Sequence, residues 1–375
     1  MKIQTAKFIR NIVIGIIALI VVAFIINIAP GYRRNKYKNV INLVIGEENV
    51  TEQLKHPIYK DEKGELYISK DDIKNLLDKT IYYDETENML ITTSEVAVGS
   101  MVVGEKQIII NNSRNSTLST IIYDNNIMYV PIKEMQAVYN IELQYIEESN
   151  ILVIDSLNKG MIKAEATQET VIRYKQRSLS KEVGKLKQGD IVSAFYTTSK
   201  GWRQIRTEDG KVGFVKANTL TNEYIVRQDM SHKPNTKEVN ANINDNSQIQ
   251  IDGDSVLIKD LLKMTAEGIL LKNVEIVDDE NTKIWANLSI DSTNLNKFQD
   301  RNKTIKNIVS VCMKNNIKGV NIILTDKNDN IERFIIELAP RLREIGVKTN
   351  IVLNENFVNY NFETYNEIVD YIIKN

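Results

Sequence analysis

The sequence predicts a multidomain α+β protein: an N-terminal transmembrane helix, two α+β repeats, a small β-barrel, and a partial α/β domain at the carboxyl end. Three observations predict it. The chain opens on an unbroken apolar run, a later stretch matches itself at an offset of 62 residues from Tyr67 to Tyr129, and the last third alternates strand-like with helix-like runs. A chain of 375 residues with 42% hydrophobic content has room for about two to four domains.

Residues 12–26 are uninterruptedly apolar, and the run resumes at Ile28 and Ala29. About 18 helical residues reach ~27 Å, close to the hydrocarbon thickness of a bilayer. A cleaved signal peptide has a shorter apolar region and a small-x-small cleavage site, and Pro30 spoils the only approach to one, Ala29-Pro30-Gly31. Residues 1–38 therefore read as an uncleaved anchor, and the expected localisation is a single-pass cell-membrane protein with its C-terminal portion extracytoplasmic. Charge does not orient it, because Lys2, Lys7 and Arg10 precede the run while Arg33, Arg34, Lys36 and Lys38 follow it.

With 48 basic against 49 acidic side chains there is no global field to attract nucleic acid. A lone cysteine, Cys312, excludes an intrachain disulfide framework, and its apolar setting suits a buried, inert thiol. His56 and His232 are far apart and belong to no ligand-spaced cluster. No metal site, cofactor motif or Ser-His-Asp triad is expected.

Residues 40–157 contain the repeat. "ELYISKDDIKNLLDKTIYYDETENMLITT" from Glu65 and "IMYVPIKEMQAVYNIELQYIEESNILVID" from Ile127 align without gaps, pairing Tyr67 with Tyr129, Tyr83 with Tyr145, Asn88 with Asn150 and Leu90 with Leu152. Each copy reads as a strand, a helical turn or two, then a hairpin. "YVPIKEM" at 129–135 and "QYIEESNILVI" at 144–154 resemble the stalk domain of clostridial and bacillar surface proteins, related to the N-terminal domain of copper amine oxidases. The resemblance implies a spacer and offers no copper site. The first copy departs from it, with Ser69 where the second has Pro131.

Residues 161–222 alternate short β-rich runs with Gly-Asp, Lys-Gly-Trp and Asp-Gly-Lys punctuation, the pattern of a small barrel. Asp209-Gly210 predicts a type I′ hairpin turn. The spacing is similar to that of bacterial SH3 domains, which implies binding to cell-wall peptidoglycan. Trp202 suits either the barrel core or ligand stacking, and Tyr174, Tyr196 and Arg203 are candidates for a polar-aromatic groove or ordinary barrel residues. Residues 223–248 are rich in Asn, Asp, Lys and Ser and read as a linker.

From residue 249 to 375, "KIWANLSI", "GVNIIL" and "VKTNIVL" alternate with helical patterns, which predicts a parallel sheet. The region resembles family 18 glycoside hydrolases, in the branch that joins wall-binding modules to peptidoglycan- or cortex-lytic barrels. Against that family's acidic strand, Lys318 replaces the first aspartate, Ile323 the last, and Thr325 the catalytic glutamate. Threonine cannot protonate a glycosidic oxygen near neutral pH. The ~130 residues present also fall short of the ~250 of a full barrel, so a degenerate, partial TIM-barrel-derived domain with no catalytic residue is expected.

The sequence thus predicts a membrane-anchored protein that binds peptidoglycan or a related cell-wall glycan, with an inactive hydrolase-like domain. One alternative is an active peptidoglycan or spore-cortex hydrolase drawing its acid from Glu332 with Glu337, or Asp278 with Asp279, although such carboxylates are usually solvated. Another is a membrane sensor or assembly subunit.

Overall fold

A computed structural model describes residues 40–198, 200–230, 236–265, 268–271, 282–290, 295–324, 328–353, 365 and 368–374. Strand accounts for 47% of it and helix for 18%, so the fold is mostly β and the predicted α+β class is corrected. The reason is local. Each repeat is expected to carry a helix of a turn or two; the first has the seven-residue helix Lys70–Leu76 and the second only a 3-10 turn, Ile132–Met135, running into Gln136–Tyr139. Ser69 caps the first helix, accepting from the Asp72 amide at 3.0 Å, and proline at the equivalent Pro131 supplies no cap.

The described residues give the predicted membrane anchor no support. Among the described residues no helix is long and apolar enough to cross a membrane, and the apolar run at 12–29 lies outside them. The expected single-pass membrane localisation likewise finds no support among the described residues.

Contacts divide the chain into two units, with residues 40–58 and 141–230 in the first and residues 59–140 and the described residues from 236 onward in the second. In the first unit, Asn42–Ile45 pairs in parallel with Ile151–Ser156, which forms a hairpin with Ile141–Ile146. Residues 161–227 make a seven-stranded antiparallel sheet over a core of Ala166, Ile172, Leu186, Val192, Ile205 and Val215. Arg206 ties this sheet to the parallel pair, donating to Asp155 Oδ1 at 2.8 Å, Asp155 Oδ2 at 2.5 Å and the Gly46 carbonyl at 2.6 Å. The hairpin joining Trp202–Arg206 to Val212–Lys216 forms, but Gly210 alone has positive φ, +80°. A type I′ turn needs positive φ at both central residues, so the turn is of another type, held by a hydrogen bond from the Gly210 amide to the Thr207 carbonyl at 3.0 Å.

In the second unit the equivalent strands of the two repeats pair with each other. Leu66–Ser69 runs antiparallel to Ile127–Pro131 with Ile68 opposite Val130, its own counterpart at the 62-residue offset, so the pairing has local two-fold symmetry. The matched Tyr and Asn of the repeats are turn chemistry. Tyr83 donates to Asn88 Oδ1 at 2.5 Å and Tyr145 to Asn150 Oδ1 at 2.8 Å, and both asparagines adopt the left-handed conformation that this residue tolerates, φ 48° and 54°.

The second unit also holds a five-stranded antiparallel sheet over residues 82–116 and an eight-stranded sheet. The strands of the latter are β1 (Lys237–Asn240), β2 (Gln248–Ile251), β3 (Asp254–Thr265), β4 (Gly268–Leu271), β5 (Thr282–Ser289), β6 (Ile317–Ile323), β7 (Lys348–Leu353) and β8 (Tyr371–Lys374), in the order β1-β8-β7-β6-β5-β3-β2 with β4 paired to β3. Neighbours from β1 through β3 run parallel, and β2 and β4 are antiparallel to β3. Residues 237–240 and 248, inside the segment read from composition as a linker, are therefore sheet strands. Helices α1 (Phe298–Lys314) and α2 (Asp329–Glu344) cover one face through Ile305, Ile308, Phe334, Ile335 and Leu338, all fully buried. Every third or fourth residue of an amphipathic helix faces its sheet.

Gly319 lies opposite Trp285 on the other face, where a methyl at its α-carbon would sit 2.6 Å from the indole Cδ1. Gly319→Ala is expected to push the ring aside, costing about 1–3 kcal/mol as overpacking does. Urea unfolding and tryptophan emission check this, and an unchanged emission spectrum at full stability would refute the contact.

Candidate functional site

Alternate residues of β5, β6 and β7 point away from the helices, and the register stacks them in rows. One row is Asn287, Asn321 and Asn350, and the next toward the carboxyl ends is Ser289, Ile323 and Val352. In open α/β sheets the carboxyl ends of parallel strands are where ligands bind, so these rows are where acid groups would be needed.

The asparagines form a buried ladder. Asn350 Nδ2 donates to Asn321 Oδ1 at 2.8 Å, Asn321 Nδ2 donates to Asn287 Oδ1 at 3.0 Å, and Asn287 Nδ2 donates to Asp260 Oδ1 and to the Ile243 carbonyl, both at 2.7 Å. Asn321 and Asn350 are fully buried. All donors point toward Asp260, and the last acceptor, Asn350 Oδ1, has no partner among the described residues. Carboxamides hold or orient a group by hydrogen bonding but neither give nor take a proton near neutral pH. Asp260 is the carboxylate that meets the ladder.

Ile323, at the position of the family's last aspartate, packs on an apolar cluster of Trp285, Val352, Tyr371, Ile373, Ile258 and Ile243. Thr325, Asp278 and Asp279 lie outside the described residues. Glu337, expected to be a solvated helix carboxylate, is 1% exposed. It accepts from Arg301 Nη2 at 3.0 Å, from Arg301 Nε at 3.1 and 3.2 Å, and from the Tyr82 hydroxyl at 2.9 Å. Burial pushes its pKa up, while the Arg301 guanidinium opposes that shift. Burial and the Glu337 charge raise the Tyr82 pKa as well, keeping the phenol protonated. Arg333 covers the Tyr82 ring at 3.7 Å. Glu337 is thus committed to holding α1, α2 and the Tyr82–Asp84 strand together.

In the first unit, Trp202 is 5% exposed, with Lys216 Nζ 4.2 Å from its ring. Arg203, next on the same strand and on its opposite face, donates to Thr197 Oγ1 at 2.8 Å and to Glu223 at 3.2 Å. Tyr196 is 53% exposed, and Tyr174 is half-buried beyond the Thr170–Arg173 strand. Cys312 is buried, and burial pushes its thiol up to about 12, so it is inert near neutral pH. No group of three or more metal-ligating side chains occurs among the described residues.

Nothing in the sequence analysis connects Asn287, Asn321 and Asn350. The signal was present as one asparagine inside each of the apolar runs "WANLS", "GVNII" and "TNIVL".

No family model matches the chain, so the stalk and SH3-type resemblances of residues 40–157 and 161–222 gain no support, and no curated protein matches it. Among solved structures, a Group IV chitinase of Ostrinia furnacalis is similar at 15% identity and a TM-score of 0.27, over 32% of this chain and 42% of that one. The Bacillus cereus spore cortex-lytic enzyme SleL is similar at 16% identity and a TM-score of 0.27, over 32% and 33%. The chain spans less than half the length of these structures.

Proposed function

We propose that the protein binds cell-wall glycan without hydrolysing it, and that the eight-stranded sheet is a scaffold. The observation that carries this reading is the second face of β6. Ile323 is packed among apolar side chains where a hydrolase of the resembled family needs a carboxylate, and the Ile243 carbonyl occupies the asparagine ladder beside it. General-acid catalysis contributes ~10²–10⁴ in rate and requires a proton donor within hydrogen-bond reach of the substrate. Ile323 offers none. The glycan contact is assigned to the seven-stranded sheet, where Tyr196 is exposed and Arg203, partly exposed, is paired with Glu223. An exposed ring suits the apolar face of a sugar, and a fixed guanidinium suits its hydroxyls.

The test uses the full chain in detergent-free buffer at low salt. The protein is expected to sediment with insoluble peptidoglycan and to release no reducing ends from it. Tyr196→Ala should weaken the sedimentation about threefold to tenfold, the worth of one aromatic contact. Protein left in the supernatant would sink the binding assignment, and turnover by the unaltered chain would sink the non-catalytic one.

A further inference from the structure

Between the outer faces of α1 and α2 lies a pocket of about 340 Å³, lined by Lys306, Val309, Ser310, Met313 and Lys314 from α1, Arg341 and Glu344 from α2, and the turn Asn111–Asn112. The α1 residues recur at intervals of three, four, seven and eight, so they form one stripe of the helix. Arg341 is 4% exposed, yet among the described residues only one of its donors has a partner. Its Nη1 donates to Asn302 Oδ1, its Nε is unpartnered, and it forms no ion pair among the described residues. The carboxylates that act on it, Glu337 and Glu344, do so without an ion-pair contact: Arg301 and Tyr82 hold Glu337, and Asn111 Nδ2 holds Glu344 at 3.0 Å. A guanidinium carries five N–H donors, and a buried cation without a direct ion pair is costly.

The local charge does not balance. Three cations, Lys306, Lys314 and Arg341, face one carboxylate, Glu344. The pocket lies at the carboxyl-terminal halves of α1 and α2, and each helix terminus contributes roughly −0.5 of a charge. These termini and Glu344 offset about two of the three cations, and about one positive charge remains. Burial pulls the Arg341 pKa down to about 10, which still leaves it charged at neutral pH.

We propose that this pocket binds a single oxyanion, a phosphate or carboxylate group, with the bound anion lying against Lys306, Lys314 and Arg341 and its carrier resting on Val309 and Met313. The volume admits a small organic anion. The site is independent of the glycan contact assigned to the seven-stranded sheet.

Thermal unfolding of the full chain at neutral pH, in sodium phosphate or sodium acetate against sodium chloride of equal ionic strength, tests it. At a tenfold excess over Kd the favoured anion is expected to raise Tm by about 2–4 °C. Lys306→Gln with Lys314→Gln should remove that shift, because both lysines are exposed and the fold does not depend on them. A shift in phosphate alone assigns a phosphate carrier, and one in acetate alone a carboxylate carrier. Equal Tm in all three salts, or a shift that survives in the double variant, would overturn the proposal.

Discussion

Arg301→Met is expected to destabilise the second unit by about 3–5 kcal/mol at neutral pH, the usual cost of leaving one member of a buried ion pair alone. Arg301 and Glu337 are each 1% exposed, and the arginine also donates to the Leu295 carbonyl at 2.9 Å and to the Tyr82 hydroxyl. Methionine fills most of the volume but neutralises nothing. The sign of the pH dependence follows from Glu337. Burial raises its native pKa above the unfolded value of about 4.3, so between those two values the folded state holds more protons and stability falls as pH rises. Removing Arg301 removes the strongest influence opposing that rise, which widens the window. The variant's deficit should therefore be largest at pH 7 and shrink toward pH 5. Urea unfolding at both pH values measures it, and a deficit below ~1 kcal/mol, or one that does not change with pH, would contradict the buried pair. Adding Glu337→Leu should recover much of the loss, since replacing a whole buried pair by apolar residues is often neutral.

The same cluster marks what the sequence conceals. The alternating runs "KIWANLSI", "GVNII" and "KTNIVL" are legible as strands, and β5, β6 and β7 pair in parallel there. The repeat is legible too, because its matched Tyr and Asn reappear as the same turn hydrogen bond in both copies. Long-range placement was not legible. Tyr82 meets Glu337 across 255 positions, and nothing local to either residue encodes that meeting. Helix content was overestimated for a local reason, since proline at the entrance of the second repeat leaves its helix without a cap. Composition misled at residues 237–248, where polar residues alternate with Val239 and Ile243 and a sheet edge forms from a segment that reads as linker. At the candidate site, the missing acid at Ile323 was legible from one strand. The ladder required three strands in register.

Asn321→Asp places a carboxyl at the centre of that ladder and is expected to destabilise the sheet by roughly 4 kcal/mol or more at neutral pH, given the 3–5 unit pKa shifts of fully buried carboxyls. Asn321 donates to Asn287 Oδ1 and accepts from Asn350 Nδ2. An ionised carboxylate satisfies the second contact and sets an oxygen against an oxygen in the first. Asn287 cannot reverse to accommodate it, because its Nδ2 already serves Asp260 and the Ile243 carbonyl. The introduced carboxyl must keep its proton to donate, so its native pKa is raised above the unfolded value. Its protonated form is fully compatible with folding below that unfolded value, and stability is lost as pH rises through the window between the two. Asn321→Leu leaves Asn287 and Asn350 unsatisfied at every pH and should cost about 2–4 kcal/mol without that slope. Comparing the two variants by urea unfolding at pH 4.5 and pH 7 separates titration from lost hydrogen bonds. Neither variant should release reducing ends from peptidoglycan, because a new acid behind a packed row of Ile323 and Val352 has no sugar to protonate. A deficit for Asn321→Asp that is flat with pH would refute the polarity of the ladder, and turnover by this variant would mean that the face accepts substrate.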